Sequence, residues 1–187
     1  MPLAAGDDCK DQDFTAYKRS DSRGKGSGRR AIAEPMADFE DIYSERVLQL
    51  SANMPRAGKL LDADATASAH SKLCGSRITI GLKMERDTVT DYAQDVRACL
   101  LGQTAAAVMG ANVVGSTAGE LRAVGAQMRR MLKEGGEPPS GRWSDLAVLE
   151  IVREYKARHA STLLVFDAVE DAIAQIEKRR ATGASLG

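Results

Sequence analysis

Apolar and polar residues alternate along residues 77–85, and this period of two is typical of a strand with one buried face. The apolar positions of the pattern are Ile78, Ile80, Leu82 and Met84. A second extended run goes from Thr88 to Val96, after a turn-like Glu85-Arg86-Asp87. The two runs therefore predict an antiparallel β-hairpin.

Helical spacing of apolar residues dominates most of the remaining chain. It predicts a first helix capped by Asp38 and ended by Asn53-Met54-Pro55, and a small-residue helix over 105–114. A capping box at Thr117 opens a helix that ends at Gly135-Gly136. A short helix over 145–155 and a longer helix over 161–179, capped by Ser161, complete the pattern. The elements together predict an α+β domain in which a small antiparallel sheet is covered by helices.

Length and composition suit one domain with a tail, because the chain has 187 residues of which 43% are hydrophobic. Residues 1–35 are polar, a composition that cannot bury enough apolar surface to offset the entropy of ordering. We therefore expect a disordered tail at residues 1–35, a folded domain at 36–180 and a flexible C-terminus at 181–187. Cys9 falls in the tail and outside any expected site.

The charge balance argues against two classes of partner. The 26 basic and 26 acidic residues cancel, which gives no electrostatic reason to expect a nucleic acid or a membrane. No apolar run approaches the ~20 residues of a membrane span. The three cysteines have unlike spacings, and no signal-peptide core appears near the start. A reducing cytoplasm is the expected compartment.

Two cysteines are the best candidates for chemistry. Cys74 precedes the predicted hairpin and Cys99 follows it, so the two thiols should converge at one end of the sheet, where they could bind a soft metal or carry sulfur. Cys99 also lies a few residues before the predicted small-residue helix, and helix N-termini lower a thiol pKa. Free cysteine is often only a small core hydrophobe, and that alternative stays open. The sequence contains no HExxH motif, P-loop or nucleophile elbow.

Four stretches of the sequence resemble a known protein family. They are DIYSERVL, CGSRITIGL, RACLLGQTAAAVM and GRWSDLAVLEIVREYKARHASTLLVFDAV, and they span the chain from about Phe39 to Ile176. Together they resemble the U-type iron–sulfur cluster assembly scaffolds, namely the NifU N-terminal domain, IscU and, most closely, SufU. The resemblance implies a SufE/NifU-like fold with a three-stranded antiparallel sheet, whose third, edge strand lies within residues 60–70.

The resemblance also implies a set of ligands. In the family, three cysteines and the aspartate of a Cys-Gly-Asp loop bind zinc or a nascent cluster and receive sulfur. Here Cys74 and Cys99 match two of the cysteines, while Ser76 stands at the aspartate position and Ser161 at the position of the third cysteine. A neutral hydroxyl is a poor ligand for zinc or iron, so half of the set is missing.

Three further residues near these positions are candidates. His159 could supply a replacement imidazole, and His70, four residues before Cys74, is a second candidate of the same kind. Arg158 matches a basic position beside the family's third cysteine, where it could steady a persulfide. Each of the three is also explained as an ordinary surface residue.

The resemblance implies a protein that is not an enzyme but a scaffold or carrier, holding a transient [2Fe-2S] cluster or zinc on Cys74 and Cys99. A homodimer, an external thiol or His159 would complete the ligands. Its partners would be a cysteine desulfurase and the apo-proteins that receive clusters. One alternative is a sulfur-transfer protein that takes a persulfide onto Cys74, and another is a metal-free interaction protein without any cofactor.

Overall fold

The computed structural model describes residues 44–184, with side chains through residue 182. The expected tail at 1–35, the cap at Asp38 and Cys9 lie outside the described residues. None of the helices within residues 44–184 is long and apolar enough to cross a membrane.

The sheet has three antiparallel strands in the order β1-β2-β3, comprising Ala65–His70, Arg77–Glu85 and Thr88–Arg97. The predicted hairpin is confirmed, and so is an edge strand within residues 60–70. Ile78, Ile80 and Leu82 are fully buried, so the alternating pattern marks the face that packs on the helices. A register shift between Lys83 and Met84 lies far from the cysteine end of the hairpin.

Within residues 44–184 the sheet is accompanied by four α-helices and one 3-10 segment, of which the second and the last α-helix make the main contacts with the sheet. Helix α1 is Glu45–Ala52, α2 is Leu100–Asn112, α3 is Ala118–Glu134, the 3-10 segment η1 is Gly141–Glu154, and α4 is Lys156–Ala184. The α+β prediction is therefore confirmed. Helix α1 ends before Asn53 as expected, and α3 begins after the Thr117 cap and ends at Gly135, whose positive φ of 70° suits glycine.

Two expectations about the last helices are wrong. Residues 145–154 belong to η1 rather than to an α-helix, and Tyr155 follows as its C-cap. The sequence could not tell the two apart, because an apolar face at helical spacing does not distinguish a 3-10 helix from an α-helix. Helix α4 begins at Lys156, so Ser161 is not its cap but a fully buried interior residue. The Ser161 hydroxyl instead donates to the Arg158 carbonyl, 2.9 Å away, as serine often does within a helix. Helix α4 extends to Ala184, and the rest of the expected C-terminal segment, residues 185–187, lies outside the described residues.

Segment η1 is held to α3 through Glu120. Thr117 Oγ1 accepts from the Glu120 backbone N–H at 3.1 Å, but the Glu120 carboxylate does not return to close the predicted capping box. It accepts from the Trp143 indole at 2.8 Å and from the Arg142 guanidinium at 2.8 Å. Trp143 is itself buried. The cap that starts α3 therefore also fixes the segment that leads into α4.

Helix α2 lies at the centre of the domain and packs against α1, α4, η1 and β3. Small residues make this possible, since Ala105, Ala106 and Ala107 are buried along it. At Gly110, an added Cβ would lie 2.6 Å from Gln94 Nε2 and 2.8 Å from the Pro55 carbonyl. Gln94 is buried and donates to both the Pro55 and Ala106 carbonyls, at 2.9 and 3.0 Å. Gly110 thus lets α2 approach a polar bridge that joins it to β3.

We predict that Gly110→Ala destabilises the domain by about 1–3 kcal/mol, because the added methyl group would disrupt the Gln94 bridge. Gly119→Ala is the matched control, since its Cβ would meet only Thr117 Oγ1 at 3.9 Å in the exposed first turn of α3. Denaturant unfolding of both variants measures the difference. Equal stabilities would contradict the packing described for α2.

Candidate functional site

Cys74 lies in the tight turn that joins β1 to β2. The Ser71 N–H donates to the Ser76 carbonyl at 2.8 Å, and the Gly75 N–H donates to the Ser71 carbonyl at 3.0 Å. Gly75 has φ of 71°, in the left-handed region where other residues are strained. The turn therefore holds the Cys74 side chain at the end of the sheet, where it is exposed.

Cys99 reaches the same end of the sheet from β3. It is the N-cap of α2, with extended backbone angles, and its side chain is half-buried. The Cys99 N–H donates to Ser76 Oγ at 3.2 Å, which ties the start of α2 to the Cys74 turn. This contact confirms that the two cysteines converge, as the hairpin predicted.

The two serines complete a four-residue group, which we call the Cys-Ser cluster: Cys74, Ser76, Cys99 and Ser161. The Cys74 thiol donates to Ser76 Oγ at 3.1 Å, and the Cys99 thiol donates to Ser161 Oγ at 3.4 Å. Both hydroxyls are buried beneath the more accessible thiols. The positions that the family resemblance pointed to therefore lie together, although two of them carry hydroxyl groups.

Close contact between α2 and α4 makes this convergence possible. An added Cβ at Gly102 would lie 2.9 Å from the Ser161 carbonyl oxygen and 2.8 Å from Ala98 Cβ. Because glycine leaves that space free, the first turn of α2 can rest on the backbone of α4. Ser161 is thereby brought within hydrogen-bonding distance of Cys99.

The surroundings of Cys74 favour its thiolate. The Ser71 hydroxyl, and then the Ser76 hydroxyl, lower the pKa of the Cys74 thiol to about 7, while desolvation acts in the opposite direction. The Ser71 hydroxyl is buried and makes no hydrogen bond of ordinary geometry to any described residue, so its proton is free to turn toward the sulfur. An exposed thiol with such a pKa is a competent nucleophile and metal ligand near neutral pH.

The Cys-Ser cluster opens into a cleft of about 410 Å³. Its lining also includes Arg97, Gln103 and Arg158, but no acidic side chain. Arg158 therefore lies beside the cysteines, as the family resemblance implied. Across residues 44–184, no group of three or more histidine, cysteine, aspartate or glutamate side chains is gathered to hold a metal ion.

The two histidines do not join the cysteines. His159 Nε2 lies 3.0 Å from the Val152 carbonyl and 3.1 Å from the Arg153 carbonyl, so its ring is bound to the end of η1. His159 and His70 both line a separate cavity between α3 and α4. The structure therefore does not support His159 as a further metal ligand, because the fold directs its ring away from the cleft.

Sequence reasoning missed Ser71, Arg97 and Gly102. Arg97 had a detectable signal, because it continues the alternation of β3 and stands two residues before Cys99. Ser71 and Gly102 had none, since their roles depend on a turn and on a helix contact that the local pattern does not reveal.

Comparison with known proteins identifies the family. No family model matches the chain. A crystal structure of the N-terminal part of a nitrogen-fixing NifU-like protein from Brucella abortus is 56% identical, with a TM-score of 0.73, over 74% of this chain and 96% of that one. The chain belongs to the NifU-like family.

Two more distant proteins are also similar to this chain. The iron-sulfur cluster assembly scaffold protein IscU of Thermotoga maritima is 24% identical over 140 residues, 75% of this chain and 98% of that protein. A putative SufU scaffold of Fervidobacterium islandicum has a TM-score of 0.66 at 22% identity, over 72% of this chain and 98% of its own. The resemblance to the U-type scaffold family and the predicted fold are both confirmed, but the SufU protein, at 22% identity, is more distant from this chain than the NifU-like protein, at 56%.

We predict that alkylation of Cys74 by iodoacetamide follows a midpoint near pH 7, and that Ser71→Ala moves this midpoint upward. The hydroxyl stabilises the thiolate, so its removal favours the protonated form and raises the pKa. The control is Ser68→Ala, whose hydroxyl instead bonds Thr79 Oγ1 on the sheet. Peptide mass spectrometry of timed reactions gives the rates, and a midpoint shared by wild type and Ser71→Ala would contradict the assignment.

Proposed function

We propose that this NifU-like domain is a scaffold or carrier for iron–sulfur cluster assembly, which holds iron and sulfide or a nascent cluster on Cys74 and Cys99. The observation that carries the proposal is the convergence of the Cys-Ser cluster at one open cleft. The names of the relatives, which include an iron-sulfur cluster assembly scaffold protein, support the same function. Thiolates are the ligands that iron–sulfur clusters use.

The arrangement suits cargo that is held briefly. A [2Fe-2S] cluster takes four ligands, and one chain offers two thiolates beside two neutral hydroxyls. The other ligands would come from a second chain, which pools its cysteines in a dimer, or from an external thiol. The open cleft leaves the cargo accessible to an apo-protein that receives it, and zinc could occupy the same thiolates.

A second candidate function is sulfur transfer, and the exposure and lowered pKa of Cys74 favour it. The Cys74 thiolate would attack the outer sulfur of a persulfide on a cysteine desulfurase. The sulfur–sulfur bond of that persulfide breaks, the desulfurase cysteine leaves as a thiolate, and Cys74 becomes the persulfide. The guanidinium of Arg158, which lines the cleft, would steady the persulfide anion.

We expect Cys74→Ser and Cys99→Ser each to lose most of the iron and sulfide bound in anaerobic reconstitution, because thiolates supply most of the affinity at such a site. Cys9→Ser is the control and should match wild type. Iron and sulfide analysis with visible absorption measures the outcome. Equal retention of iron and sulfide in all three variants would refute the proposed site.

The double change Ser76→Asp with Ser161→Cys should rebuild a four-ligand site, since both positions already touch the thiols. We expect its zinc affinity to exceed that of wild type by at least about tenfold, on the order of 1.4 kcal/mol. A competitive titration against a chromogenic chelator under reducing conditions measures this, with each single change as a control. Absence of any gain would favour the metal-free interaction protein.

A further inference from the structure

Two arginines lie side by side on neighbouring strands, at the end of the sheet where the cysteines are. Arg77 on β2 and Arg97 on β3 are directly opposed in the antiparallel register, so both side chains leave the same, outer face. Both are exposed, and Ile78, the neighbour of Arg77, points into the core. Like charges directly opposite each other on neighbouring strands are destabilising unless something compensates them.

No carboxylate of the described chain compensates them. Within residues 44–182 there is no ion pair that involves Arg77, Arg97 or Arg158. The nearest carboxylate along β3 is that of Asp95, two residues before Arg97, and it is not bonded to any of the three arginines. By contrast, the guanidinium groups of Arg122 and Arg129 each bind a carboxylate on α4. The positive charge at the cysteine end is therefore available to an anion from outside.

The cleft combines this charge with the thiols. Arg97 and Arg158 line this shallow, open cleft of about 410 Å³ together with Cys74 and Cys99. A guanidinium binds a carboxylate through two parallel hydrogen bonds. The two ligand positions occupied by Ser76 and Ser161 lack a thiolate. A ligand that fits these features carries carboxylates for the arginines and, under the proposed scaffold function, a thiol that supplements Cys74 and Cys99.

We propose that the cleft binds a small thiol that carries carboxylate groups, held by Arg97 and Arg158, and that its sulfur supplies a ligand missing from the Cys-Ser cluster. Binding itself requires only the arginines and the cleft. The ligand role rests on the proposed scaffold function. In that role the thiol loses its proton to solvent and binds iron as a thiolate, with no change of oxidation state.

Calorimetry on the reduced, metal-free protein at constant ionic strength tests the binding step. The probe is S-methylglutathione, which keeps two carboxylates but has no thiol to form a disulfide. The double variant Arg97→Gln with Arg158→Gln should bind it at least about tenfold more weakly than wild type. The charge-matched control is Arg130→Gln with Lys178→Gln, which changes two exposed helix positions and should bind as wild type does.

Three calorimetric results would overturn the proposal. They are no binding to wild type, equal binding to the Arg97 and Arg158 double variant, and equal binding of the diethyl ester of the probe, which lacks carboxylate charge.

Anaerobic reconstitution tests the ligand role with glutathione against cysteamine, a thiol that has no carboxylate. Wild type should form more cluster with glutathione, and the arginine double variant should lose this preference. Equal yields with both thiols would overturn the ligand role and leave the scaffold function intact. No cluster with either thiol would count against the scaffold function and the ligand role together, and calorimetry would still decide the binding step.

Discussion

The candidate site depends on the close approach of α2 to its neighbours, and that approach is possible because two positions of α2 are glycines. Gly102 allows contact with the α4 backbone at Ser161, and Gly110 allows contact with the Gln94 bridge. The alanines between them keep the helix near the sheet and η1. Cys99 caps this helix, so its position is set by core packing rather than by a flexible loop.

The Cys74 turn is fixed by a different interaction. Ser76 Oγ accepts from both the Cys74 thiol and the Cys99 N–H, so one hydroxyl joins the turn to the helix start. The two cysteines are therefore held near each other without any bound ligand. Under the proposed scaffold function, such a preformed pair would spare the cost of ordering these side chains when the cargo binds.

Much of this could be predicted from the sequence, for physical reasons that differ between elements. The strands were predictable because alternation reports directly which face of a strand is buried, and the hairpin then required Cys74 and Cys99 to meet. Capping rules predicted a helix start at Ser161. The helix already begins at Lys156, so Ser161 is an interior residue of the helix and its side chain is buried in the core. The direction of the His159 ring and the opposition of Arg77 to Arg97 depend on tertiary contacts and strand register, which no local pattern encodes.

The hydroxyls of Ser76 and Ser161 also shape the state of the two thiols before anything binds them. Each accepts a hydrogen bond from one thiol of the free protein. At Cys74 the Ser71 hydroxyl, and then that of Ser76, lower the thiol pKa, and this favours the thiolate that a metal or an electrophile would need. Under the proposed scaffold function, Ser76 and Ser161 therefore help to prepare a thiolate but add no charged ligand of their own, and the cargo would bind more weakly for the two ligands that hydroxyls replace.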